Sequence, residues 1–106
     1  MADEVLVEDW TPGRRLRFKT PGRYSMDVAV EILRWIEGFE DVSIPDPGGR
    51  APGYGDLVEV GVPIQLGNIR FSIMCSHDDL FLDRLAGDNR KFTALCEAVQ
   101  QRFATG

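Results

Sequence analysis

Apolar and polar residues alternate with a period of two from Val58 to Cys75. Val58, Val60, Val62, Ile64 and Leu66 are apolar and are separated by Glu59, Gly61, Pro63 and Gln65; after Gly67-Asn68 the alternation resumes at Ile69, Phe71, Ile73 and Cys75. Such patterning marks a half-buried strand, and a Gly-Asn pair between two such runs predicts a β-hairpin closed by a two-residue type II′ turn. The short loop fixes the register: Leu66 is expected opposite Ile69, Ile64 opposite Phe71, Val62 opposite Ile73 and Val60 opposite Cys75, with every pair on one side apolar. Pro63 then falls opposite Ser72 with its missing N–H turned away from the partner strand. The chain near Pro63 is therefore expected at a sheet edge, with further strands joining on the Ile69–Cys75 side. Burying each inward side chain gains about 1.5–3 kcal/mol, against about 1–2 kcal/mol of backbone entropy per ordered residue. The hairpin needs a covering layer.

Val5 to Trp10 and Arg14 to Thr20 predict a second hairpin around Thr11-Pro12-Gly13-Arg14, which has the Pro-Gly centre of a type II turn. Val5, Val7, Leu16 and Phe18 are its expected inward residues, and Leu6, Glu8, Trp10, Arg15, Arg17 and Lys19 its outward ones. A type II turn splays a tight hairpin, so a bulge or a longer loop is expected too. After Pro21-Gly22, Ser25 is placed to cap a helix from Met26 to about Glu37, with Asp27 in its first turn. Ala29, Ile32, Leu33 and Ile36 form the apolar stripe, Val28 and Trp35 border it, and Asp27, Glu31 and Arg34 lie opposite. Gly38 is expected to end the helix in a left-handed conformation, with Phe39 folding back on the last turn.

A short strand is predicted at Val42–Ile44. Pro45 to Asp56 then packs three prolines and four glycines into twelve residues, excluding helix and central strand alike. Long loops of this kind are often functional, which makes Arg50 and Tyr54 candidates for partner contact. Ser76-His77-Asp78-Asp79 fits a capping box and predicts a short helix through Leu80, Leu82 and Leu85 to Gly87. Asp88 or Asn89 caps the last helix, in which Phe92, Leu95, Cys96, Val99 and Phe103 recur at three- and four-residue steps.

The expected fold class is therefore α+β, a two-layer sandwich: a mainly antiparallel sheet of four or five strands, built on two β-hairpins, with two main helices on one face. The chain of 106 residues suits one domain, and 43% hydrophobic with 27% charged residues is an ordinary globular composition. No apolar run approaches the roughly 18 residues needed to cross a bilayer, and the acidic start Met1–Glu4 is unlike a signal peptide. A soluble cytoplasmic protein with no membrane association is the expectation, and two cysteines on apolar positions of a strand and a helix agree with it. Arginine outnumbers lysine ten to two, which points to a GC-rich source genome.

No catalytic motif stands out. The single histidine, His77, could join Cys75, Cys96 and an Asp in a zinc site only if the last helix crossed above the strand end, and both thiols are expected to be buried away from a nucleophile's role. Asp78, Asp79 and Asp83 are accounted for by capping and helix solvation. The glycines of the long loop match neither phosphate-binding nor dinucleotide patterns, so no cofactor is expected. What rises above this background is a surface. If both hairpins join one sheet, the side away from the helices collects Arg15, Arg17, Lys19 and Arg70 with Trp10, Leu6 and Met74, opposed only by Glu8 and Glu59. The net charge of −5 disfavours broad nucleic-acid binding. The expectation is a non-enzymatic protein-binding module of the inhibitor, immunity-type or adaptor kind, with Trp10, Arg15, Arg17, Lys19, Arg50, Tyr54 and Arg70 as its contacts. The alternative is a small nucleic-acid or nucleotide binder using the same basic face. Self-pairing into a homodimer through the edge near Pro63 or through the sheet face also stays open.

Overall fold

The computed structural model describes residues 5–21, 24–44, 61, 63–77 and 79–104. In chain order the elements are β1 (Leu6–Thr11), β2 (Arg15–Lys19), α1 (Ser25–Ile36), β3 (Val42–Ser43), β4 (Pro63–Leu66), β5 (Ile69–Ser76), β6 (Asp79–Gly87) and α2 (Asn89–Phe103). The strands form one antiparallel sheet in the order β1-β2-β6-β5-β4-β3. The fold is α+β as expected, with six strands rather than four or five.

The hairpin of β4 and β5 has the register that its turn dictates: Leu66 opposite Ile69, Ile64 opposite Phe71 and Pro63 opposite Ser72. The pairs expected at Val60 and Val62 lie outside the described residues, as does the Pro45–Asp56 loop. The edge near Pro63 is only partly as expected, because β3 joins β4 on its far side through Val42–Leu66 and Ser43–Gln65. Pro63 lies beyond this two-residue strand. Its missing donor constrains its own position and leaves Gln65 and Leu66 able to pair.

The helix expected from Leu80 to Gly87 is instead the strand β6, a central one flanked by β2 and β5. The reason is geometric. Leu80 and Leu82, two positions apart, sit on opposite sides of a helix but on the same side of a strand, and both are fully buried. Ser76 pairs with Asp79, so the supposed capping box is a two-residue hairpin turn, with His77 in the left-handed region at φ 55°. A bulge between Arg70 and Phe71 leaves Leu85 as the extra residue of β6, half exposed.

The first hairpin forms around a turn closed by Arg14 N–H donating to the Thr11 carbonyl at 2.9 Å, with Gly13 at φ 82°, as a type II turn requires. Of the two irregularities expected, a bulge or a longer loop, the hairpin has the bulge, between Val7 and Asp9. It flips the side-chain parity of the remaining residues of β1. Trp10 stands opposite Leu16 and packs against the core, where an outward position was expected, and Asp9 takes the outward place beside Arg17. Val7, expected inward, is 41% exposed on this edge strand.

Helix α1 presents the predicted stripe, with Val28, Ala29, Ile32, Leu33 and Ile36 buried. Its cap differs. Tyr24 occupies the N-cap position without a side-chain bond, while the Ser25 hydroxyl donates to the His77 carbonyl at 2.8 Å and ties the helix start to the β5–β6 turn. Gly38 does not adopt the expected left-handed conformation. The α1 end is closed by tight turns, with Glu37 N–H donating to Leu33, Gly38 to Trp35 and Phe39 to Ile36, and Phe39 does fold back, edge-on to Trp35 at 5.1 Å. Helix α2 starts where expected: the Asp88 carboxylate accepts from the Arg90 N–H at 2.8 Å.

Both helices cover the same side of the sheet. Phe92 of α2 meets Phe71 of β5 at 6.2 Å, Phe103 meets Trp35 of α1 at 5.7 Å, and Leu16, Phe18, Leu80, Leu82 and Ile73 fill the space beneath them. Cys96 lies in this core and Cys75 at its margin, as thiols rather than a disulfide. Among the described residues no helix is long and apolar enough to cross a membrane.

Candidate binding surface on the outer sheet face

The helix-free side of the sheet is built by the residues that alternate with the core set. From β2 come Arg15, Arg17 and Lys19; β6, beside it, contributes Asp79, Phe81 and Asp83 in the register Lys19–Asp79, Arg17–Phe81 and Arg15–Asp83. From β5 come Met74 opposite Phe81 and Ser72 opposite Asp83, with Arg70 opposite Ala86. Each of these side chains is outward because its neighbours in the chain are needed inside.

The two arginines of β2 are both held. Arg15 Nε donates to Asp83 Oδ1 at 2.6 Å and its Nη2 to Oδ2 at 3.4 Å, a fork-on-fork pair directly across the strands. Arg17 reaches diagonally to Asp79, at 3.4 Å from Nε and 3.3 Å from Nη2. Between them lies the Phe81 ring, with both guanidinium carbons 5.5 Å from its centroid. The ring is thus flanked by cations that its own strand neutralises. The hydrogen bond and the charge of Asp83 also raise the Arg15 guanidinium further above its usual range.

This changes the charge expected of the face. Insertion of β6 brings Asp79 and Asp83 against Arg15 and Arg17, so two of the four anticipated cations are compensated. Lys19 and Arg70 have no carboxylate within 4 Å among the described residues. The result is an aromatic and sulfur-bearing centre, Phe81 and Met74, in a ring of mixed charge. Met74 is 40% exposed and Phe81 half-buried. Toward β4 the face tightens: Ser72 is buried, and a side chain at Gly61 would overlap Met74.

Of the seven anticipated contact residues, the structure gathers Arg15, Arg17, Lys19 and Arg70 on this face. Trp10 is turned toward the core, and Arg50 and Tyr54 lie outside the described residues. Phe81, Asp79 and Asp83 escape a reading of β6 as a helix; the signal that could have found them is the alternation Asp79-Leu80-Phe81-Leu82-Asp83 itself.

Two other places hold groups that bear on chemistry. A cleft of about 460 Å³ between the α1 start and the β5–β6 turn is lined by Tyr24, Met26, Cys75 and His77. Burial pushes the Cys96 thiol up to about 12, with a smaller push from Glu97, which makes it a packing group rather than a nucleophile. The described residues include no cluster of three or more His, Cys, Asp or Glu suited to a metal ion. Comparison with protein-family models, with curated proteins and with solved structures gives no match.

Proposed function

We propose that this chain is a protein-binding module that docks a partner on the outer face of its sheet, with Phe81 and Met74 as the apolar centre and Lys19, Arg70 and the two Arg–Asp pairs as the polar surround. The observation that carries this reading is the Phe81 ring held between Arg15 and Arg17 on a central strand, on the side of the sheet that neither helix covers. Aromatic, methionine and arginine side chains are the types enriched in interface centres. Guanidiniums already locked by carboxylates lose little rotamer freedom on docking.

The pairing with Asp79 and Asp83 also weighs against the nucleic-acid alternative. A phosphate backbone binds where cations release counterions, and here half of the anticipated cations are internally neutralised beneath a net charge of −5.

The test compares affinity capture from the native cell by wild-type protein and by an Arg70→Glu/Met74→Ser variant. Both positions are exposed, so circular dichroism should show an unchanged fold, and the variant should lose a partner that wild type retains. Equal capture by both would place the contact elsewhere. Titration with single-stranded oligonucleotide at low salt should leave the resonances of Lys19, Arg70, Met74 and Phe81 unmoved; tight binding on this face that weakens steeply with salt would favour the alternative.

A further inference from the structure

At the end of the sheet, where the β1–β2 turn meets the bulge of β6, a cleft of about 580 Å³ is lined by Thr11, Arg14, Arg15, Arg84, Asp9 and Asp83, with Leu85 at its side. We propose that this cleft is an oxyanion site that takes a phosphate or carboxylate group on Arg14, Arg15 and Arg84.

Three features support it. Arg84 is half-buried, and its guanidinium is fixed by neutral acceptors: Nε donates to the Gly13 carbonyl at 2.6 Å and Nη1 to the Gly87 carbonyl at 3.1 Å. Its charge therefore has no carboxylate counterpart among the described residues, although it is partly removed from water. Arg15 is fixed in turn by Asp83. In each of these two arginines only two of the five guanidinium N–H groups are engaged, so the remaining donors are oriented before any ligand arrives. Arg14, exposed on the turn, is tied to the same place through its backbone, its carbonyl accepting from the Arg84 N–H at 2.9 Å.

The local charge agrees. Three arginines and two aspartates line the cleft, and one of the aspartates, Asp83, is already paired with Arg15, in a chain whose net charge is −5. Guanidinium forks suit the planar spacing of phosphate and carboxylate oxygens. Thr11, a residue with a hydroxyl donor, also lines the cleft. An anion seated there needs no contact with Phe81 or Met74; the cleft shares only the Arg15–Asp83 pair with the face proposed above, and Arg14 and Arg84, outside that face, separate the two in the test.

The probe is inorganic phosphate, titrated into the isotope-labelled full chain at constant ionic strength set with chloride, while arginine Nε–H and backbone amide resonances are followed. Saturable shifts confined to Gly13, Arg14, Arg15 and Arg84 are expected. Arg14→Gln should weaken binding about tenfold, the worth of one charge-assisted hydrogen bond, while Arg34→Gln, an exposed charge removed from α1, should leave it unchanged. A parallel titration with a short phosphoserine peptide identifies the source of the anion: tighter binding than phosphate marks a polypeptide ligand, equal or weaker binding a small ion, and either supports the site. Shifts that never saturate, or an Arg14→Gln titration indistinguishable from that of Arg34→Gln, would overturn it.

Discussion

Cys96 shows how a single buried group carries a measurable consequence. Its thiol sits among Phe92, Leu95 and Val99 on the buried side of α2, and desolvation raises it from an ordinary value of 9.0 to about 12. The neutral form is therefore favoured in the folded chain. The unfolded chain loses the proton near its ordinary value, so the stability contributed by the neutral thiol is complete below about pH 9 and falls away as pH rises toward 12. Denaturant midpoints measured across that window should decline more steeply for wild type than for Cys96→Ala. At pH 8, iodoacetamide should modify Cys75, at the core margin, before Cys96, and Cys96 should react only when denaturant is added, as mass spectrometry would show. Rapid native labelling of Cys96 would contradict its burial.

At the scale of elements, β6 decides both the fold and the surface. Its buried Leu82 and its half-exposed Leu85 make opposite predictions for a strand and for an amphipathic helix. As a strand, β6 should lose about 2–5 kcal/mol on Leu82→Ala, while Leu85→Ala, at the bulge, should stay within about 0.5 kcal/mol; comparable losses at both positions would restore the helix reading. The same strand shows what could be read from the chain alone. The β4–β5 register was readable because a two-residue turn leaves one solution, and α2 because five apolar residues recur at helical steps beside an Asp88 cap. The β6 strand was hidden because its preceding turn, Ser-His-Asp-Asp, imitates a helix start and because only two core leucines mark its inner side. The inward place of Trp10 is illegible for a different reason. The type II turn signals an irregularity in this hairpin but not its place: a one-residue bulge at Glu8 reverses every later side chain of β1, and nothing in the residue types around Glu8 marks that position.

For the whole molecule, the arrangement divides the labour between two sides of one sheet. The helix side holds the apolar core, and the outer side holds Phe81, Met74 and a set of charges partly settled by the two Arg–Asp pairs. Four of the five contact residues anticipated from parity lie on this outer side, and the neutralisation of Arg15 and Arg17 by Asp83 and Asp79 could be seen only once β6 stood between the hairpins. An acidic chain with a near-neutral, aromatic-centred face suits docking to a protein better than wrapping by a polyanion. The most direct test is chemical-shift mapping of the isotope-labelled chain with the partner recovered by capture. Shifts and line broadening should concentrate on Lys19, Arg70, Met74 and Phe81 and spare the exposed sides of α1 and α2. A footprint on Glu31, Arg34, Glu97 and Gln101, with the sheet face unmoved, would contradict the account.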